Sequence, residues 1–142
     1  MSKIIFKAGE ATVYTEGKDV TAAMPEILIG AVDGPVGQAF ANLMAQSKGH
    51  TAMFAVRDIN QLVRPVCMTV PKVTLKGSTD VGLFGGVVQA ATADAILDCV
   101  IEGIIPKDQV NELCIISLVW IDPGCIVLEK EGTLDKADMY KN

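Results

Sequence analysis

Lys72 and Thr74 stand two apart in a β-prone run, and residues so spaced on a strand share a face. An ammonium and a hydroxyl side by side suit the polar edge of a heterocycle or a carboxylate. The alternative is a lysine whose stem lies along an edge strand with its head in water. Gln89 falls in the first turn of the helix expected just downstream. Its amide donates and accepts at once, which suits a pyrimidine-like ring edge. Asp94, Asp98 and Glu102 follow at intervals of four, share one helix face, and read as a solvated charge stripe. The single histidine, His50, limits the chain to one imidazole base and excludes any metal site built on two or three histidines. Placed just before an expected strand, it reads as structural. Cys67, Cys99, Cys114 and Cys125 lack C-x2-C spacing and lie in or beside apolar stretches, so they read as buried free thiols. No dinucleotide fingerprint, phosphate loop, G-x-S-x-G or H-E-x-x-H motif occurs. Gly85-Gly86 ahead of a helix leaves either an anion site at that N-terminus or two turn glycines.

These side chains must be positioned by one domain spanning residues 1–142, a length with no room for two cores. Half of the residues are apolar and a fifth charged, which excludes a disordered chain. The net charge of −5, from 12 bases against 17 acids, argues against nucleic acid as a partner. The start of the chain lacks the apolar core of a signal peptide, and no stretch approaches the ~18 apolar residues of a spanning helix. A soluble, cytoplasmic chain with no membrane partner is expected. Short strands are expected at 4–6 and 11–15, joined at 7–10 by a hairpin turn or a bent strand, and a buried strand at 27–29. Asp33-Gly34-Pro35 opens a helix that Lys48-Gly49 closes. Strands follow at 51–56 and 66–75; Pro71 puts the second at an edge or on a bulge. After a break at Phe84-Gly85-Gly86 comes a helix over 87–101, then a short one over 106–112. The nearly continuous apolar run 113–121 is a central strand or one covered on both faces. The last twenty residues read as an irregular tail. The class is α+β: a small sheet with two main helices packed on it.

Several blocks in one order carry a family resemblance. Ile27-Leu28-Ile29-Gly30, Asp33-Gly34-Pro35-Val36-Gly37, Phe40-Ala41-Asn42, Gly49-His50-Thr51, Val70-Pro71-Lys72-Val73-Thr74, Gln89-Ala90-Ala91 and Glu102-Gly103-Ile104-Ile105-Pro106-Lys107-Asp108 together resemble the formaldehyde-activating enzymes. These are tetrahydromethanopterin hydro-lyases, carbon–nitrogen lyases of one-carbon metabolism and formaldehyde detoxification. The resemblance covers about residues 9–123, and 124–142 form a divergent, shortened tail. It implies a ribosomal protein S5 domain 2-like fold with a left-handed βαβ crossover. It also implies a homopentamer holding a reduced pterin co-substrate between neighbours, with no covalent cofactor and no metal. The family's pterin contacts fall on Lys72, Thr74 and Gln89, its leucine contact on Phe54 and its aspartate contact on Glu26. Its acid histidine falls on Met24, followed by Pro25. A thioether cannot supply a proton, so Glu26, if buried enough to stay protonated, or Lys72 is the substitute acid. Two functions follow. One is a divergent enzyme condensing formaldehyde with tetrahydromethanopterin or a related pterin. The other is an impaired homologue serving as a pterin- or formaldehyde-binding sensor, carrier or regulator.

Overall fold

The computed structural model describes residues 2–46 and 52–142. In chain order its elements are strands Lys7–Glu10 (β1), Val13–Thr15 (β2) and Lys18–Ala31 (β3), then helix Pro35–Gln46 (α1). Strands Met53–Phe54 (β4), Val56–Asp58 (β5), Gln61–Leu62 (β6) and Val66–Pro71 (β7) follow. Helix Ser78–Leu83 (α2) runs through a π turn, Phe84–Val88, into Gln89–Ile101 (α3). Strand Leu113–Ile121 (β8) and helices Gly124–Glu131 (α4) and Lys136–Lys141 (α5) complete the chain. The fold is α+β. Its main sheet has the order β1-β3-β8-β7-β4, with β2 on the same side of β3 as β1, and β5–β6 form a separate hairpin. β8 is central, antiparallel to β3 and parallel to β7. His50 and the expected helix end at Lys48-Gly49 lie outside the described residues.

Side-chain alternation divides the sheet into two faces. Even-numbered residues (Leu28, Val66, Val70, Cys114, Ile116, Leu118) pack with Val36, Ala39, Phe40 and Leu43 of α1. Odd-numbered residues meet the opposite layer: Ile27, Ile29, Cys67 and Ile115 pack with Ala93 and Ile96 of α3. Val119 and Ile121 pack with Leu83, Phe84, Cys125 and Met139. Covering on both faces is why β8 reads as an almost unbroken apolar run. Two glycines permit the close approach of α1: a Cβ at Gly37 would collide with the Val32 backbone, and one at Gly30 with Ile5 and Val36.

Several expectations are corrected. Of the two readings of 7–10, the strand holds: the segment is β1, because Ile27 and Ile29 in β3 offer a paired partner that outweighs the weak strand propensity of Lys-Ala-Gly-Glu. β3 is far longer than 27–29 and runs through Pro25. The proline fits because the Pro25 carbonyl faces the β1–β2 side, accepting from the Ala11 N–H at 3.1 Å. Its absent N–H therefore points to the same side, at the gap between β1 and β2. The strand carrying Pro71 is interior, yet Pro71 is its last residue and lies past the two-residue β4. Gly85-Gly86 do not break a helix. They sit in a π turn inside a continuous one, so they offer no N-terminus to an anion. That Ser78–Ile101 helix, 24 residues, matches a membrane span in length and apolarity, against the expectation from sequence; one side of it is built into the core. The helix expected at 106–112 is a single 3-10 turn, Lys107–Gln109.

The irregular tail is instead α4 and α5. Gly132 closes α4 at φ +73°. Asp135 caps α5 by accepting from the Asp138 N–H at 3.0 Å. Asp94 is not a solvated stripe either: it pairs with Arg57 of β5 and accepts from the Tyr140 hydroxyl of α5.

Candidate functional site

The even face is where three of the candidate residues meet. Register places Met24 opposite Trp120 and Glu26 opposite Leu118. Phe54 lies opposite Met68 on β7, with its ring centroid 6.0 Å from that of Phe40 on α1. Lys72 continues the β7 ladder one step past Pro71, its backbone N–H donating to the Val119 carbonyl at 2.8 Å. That step puts Lys72 beside Trp120. Lys72, Trp120 and Met24 thus form one row across three strands, roughly 10 Å from end to end at the usual strand spacing. Glu26 belongs to the next row.

Glu26 and Lys72 stand on strands flanking β8, and their side chains meet over it: Lys72 Nζ donates to Glu26 Oε1 at 2.5 Å. The pair is open to solvent, with side-chain exposures of 38% for Lys72 and 41% for Glu26. The burial expected to keep the Glu26 carboxyl protonated is therefore absent. What stands there is an ammonium hydrogen-bonded to a carboxylate, a donor and an acceptor side by side. Met24 is 38% exposed and gives this charged centre an apolar margin, whereas Phe54, equally exposed, lies on β4 in the Ile116 row, two rows from Lys72. Met24 and Trp120 belong to none of the packed clusters among the described residues.

Thr74 lies beyond the ladder: β7 ends at Pro71, and the Lys72 N–H makes one further bond to β8. The segment stays alternating, however: Val73 and Leu75 pack into the odd-face layer while Lys72 and Thr74 are exposed. Gln89 is not brought to this site. It lies within the continuous helix on the opposite side of the sheet, nearly buried, and its Nε2 donates to the Val56 carbonyl at 2.5 Å. Within one chain that amide anchors the β5 strand. Trp120 joins the row unmarked by any motif. Only the β3–β8 register, with Met24 as its partner, reveals its neighbours.

The odd face holds a cavity of about 420 Å³ between β3, β8, α3 and the end of α5. Its walls include Ile27, Ala91, Ala95 and Val119, and its lining is almost wholly apolar. It contains none of the candidate polar residues.

The sequence matches the profile of the family described as formaldehyde-activating enzyme (Fae) over residues 8–142, so the match continues through the tail. Curated relatives include the bifunctional enzyme Fae/Hps of Methanothrix thermoacetophila, 43% identical over 120 residues, which are 84% of this chain and 30% of that protein. Its namesakes in Methanosarcina barkeri and Archaeoglobus fulgidus are 42% and 40% identical over the same shares. The chain thus aligns with about 30% of the length of these relatives.

Proposed function

The chain belongs to the formaldehyde-activating enzyme family, and from that premise we propose that it condenses formaldehyde with tetrahydromethanopterin or a related reduced pterin, releasing water. The Glu26–Lys72 pair carries this reading. A ring nitrogen adds to formaldehyde, forming a C–N bond while its proton passes to the carbonyl oxygen, and gives a carbinolamine. This addition is helped mainly by holding the reactants together. The slow step is loss of the hydroxyl. Lys72 Nζ donates a proton to it, the C–O bond breaks, and water leaves. The side-chain amine nitrogen of the pterin then closes on the iminium carbon and gives its proton to the Glu26 carboxylate. Transfer from Glu26 to Lys72 along their hydrogen bond restores the pair. One formaldehyde enters and one water leaves.

Met24 stands where the family's acid histidine is expected, and a thioether carries no transferable proton. The ammonium of Lys72 takes over that role. The S5-like fold and homopentamer implied by the resemblance complete the proposal. A ligand seated between neighbouring subunits does not require Gln89 to share a face with Lys72 in the same chain.

The test compares the condensation rate of tetrahydromethanopterin and formaldehyde with and without protein. Acceleration is expected, and Lys72→Met or Glu26→Gln should remove about a hundredfold of it, the usual contribution of a positioned acid or base. Met24 also favours a second reading, a pterin-binding sensor or carrier. Pterin binding with no acceleration over the spontaneous rate would establish that reading and overturn the first.

A further inference from the structure

Trp120 is the chain's single tryptophan, and it stands in the row between Lys72 and Met24 on the even face. The ion pair of Lys72 with Glu26 spans β8 diagonally, from the Trp120 row to the Leu118 row, so the indole borders the charged centre. Three further observations give this side chain a purpose other than packing. It is only partly buried, while its odd-numbered neighbours Val119 and Ile121 are fully inside. It is absent from each packed cluster among the described residues, whereas Leu118 and Ile116, on the same face of β8, are built into the α1 layer. Its cross-strand partner, Met24, is a large apolar side chain left 38% exposed. A large aromatic surface held by a central strand, flanked by a flexible thioether and facing a donor–acceptor pair, is a platform for a flat, polar-edged ring. Planar heterocycles stack on indole faces, and sulfur adds favourable contact at ring edges.

We propose that Trp120 is the stacking wall of the pterin site, fixing the plane of the bound heterocycle so that its reacting ring nitrogen faces Lys72 and Glu26. This rests on the function proposed above and names the residue that selects a ligand with a planar pyrimidine ring over other amines. Trp120 is a positioning residue: it holds the ring and moves no proton.

Because the tryptophan is unique, its emission reports the site directly. The experiment titrates the intact protein with tetrahydromethanopterin and measures binding twice, by tryptophan fluorescence and by equilibrium dialysis. Saturable quenching is expected, with the same Kd by both methods. Trp120→Leu should weaken binding roughly tenfold, within the range found for single base–aromatic stacks, while Trp120→Phe retains most of it. Dialysis binding that leaves the emission unchanged, or that is as tight in Trp120→Leu as in the parent, overturns the stacking role and leaves the proposed function standing. Failure of the parent protein to bind the pterin in dialysis overturns both. Should Trp120→Leu fold poorly, the Phe variant and the quenching measurement still decide the question.

Discussion

Burial decides what the cysteine thiols can do. Cys67 is wholly enclosed, and desolvation pushes its thiol up to about 12. Cys125 is pushed up to about 11, mainly by burial and further by Asp122 nearby. A thiolate is the reactive species, so neither can serve as a nucleophile near neutral pH. Cys99 is only partly covered. In the native protein a thiol reagent at pH 8 should therefore modify Cys99 first and leave Cys67 and Cys125 intact until denaturant is added. Early modification of Cys67, read by peptide mass mapping, would contradict this packing. That Cys67, Cys114 and Cys125 are buried in the core was legible from their apolar neighbours; Cys99, expected to be buried with them, is only half-covered. The meeting of Glu26 with Lys72 was not, because it depends on two strands being placed on either side of a third. Their spacing alone puts Lys72 and Thr74 on one strand face. The chain leaves the ladder after Lys72, and only the continued alternation keeps the two side chains exposed together.

Among the elements, β8 was legible from its unbroken apolar run, and α1 and the 87–101 part of the long helix from their helical apolar stripes, while the helix's start at Ser78 was not. What escaped was held by contacts remote in sequence. β1 exists through pairing with β3, and α5 is a helix of six residues that no local periodicity could announce. It is held instead by Asp138, whose carboxylate accepts from the Thr15 and Thr21 hydroxyls at 2.9 and 2.7 Å. These hydrogen bonds hold the Asp138 carboxyl below its ordinary value of 3.8, and Lys18 does the same for Asp135. Both folded-state values lie below the unfolded ones, so their stabilisation is complete above the ordinary carboxylate range. It is lost as pH falls through the depressed values. Lys18, raised above 10.5 by Asp135, behaves oppositely and loses its share as pH climbs through that higher value. Hydrogen exchange of α5 amides should show unchanged opening between pH 5 and 8, after correction for intrinsic rates, and easier opening near pH 3. Asp138→Asn should flatten most of that acid dependence; a profile identical to the parent would show that α5 is held by something else.

At the scale of the whole molecule, the carboxylate of Asp94 is shared. It meets Arg57 on the β5–β6 hairpin and Tyr140 on α5, two elements far apart in the chain that do not belong to the same sheet. Each contact is partly exposed and is worth at most about 1 kcal/mol. Their common anchor makes the hairpin and the C-terminal helix partners in opening, one local unfolding unit rather than two. In Asp94→Ala, amides in both the hairpin and α5 should exchange faster by a few-fold, whereas Thr21→Val should speed α5 alone. If Asp94→Ala released only one of them, the two would be independent. The hairpin also receives Gln89 at the Val56 carbonyl, and α5 lines the mouth of the apolar cavity on the odd face. A single carboxylate on α3 therefore ties the breathing of that cavity to the exposure of a glutamine amide on the same helix.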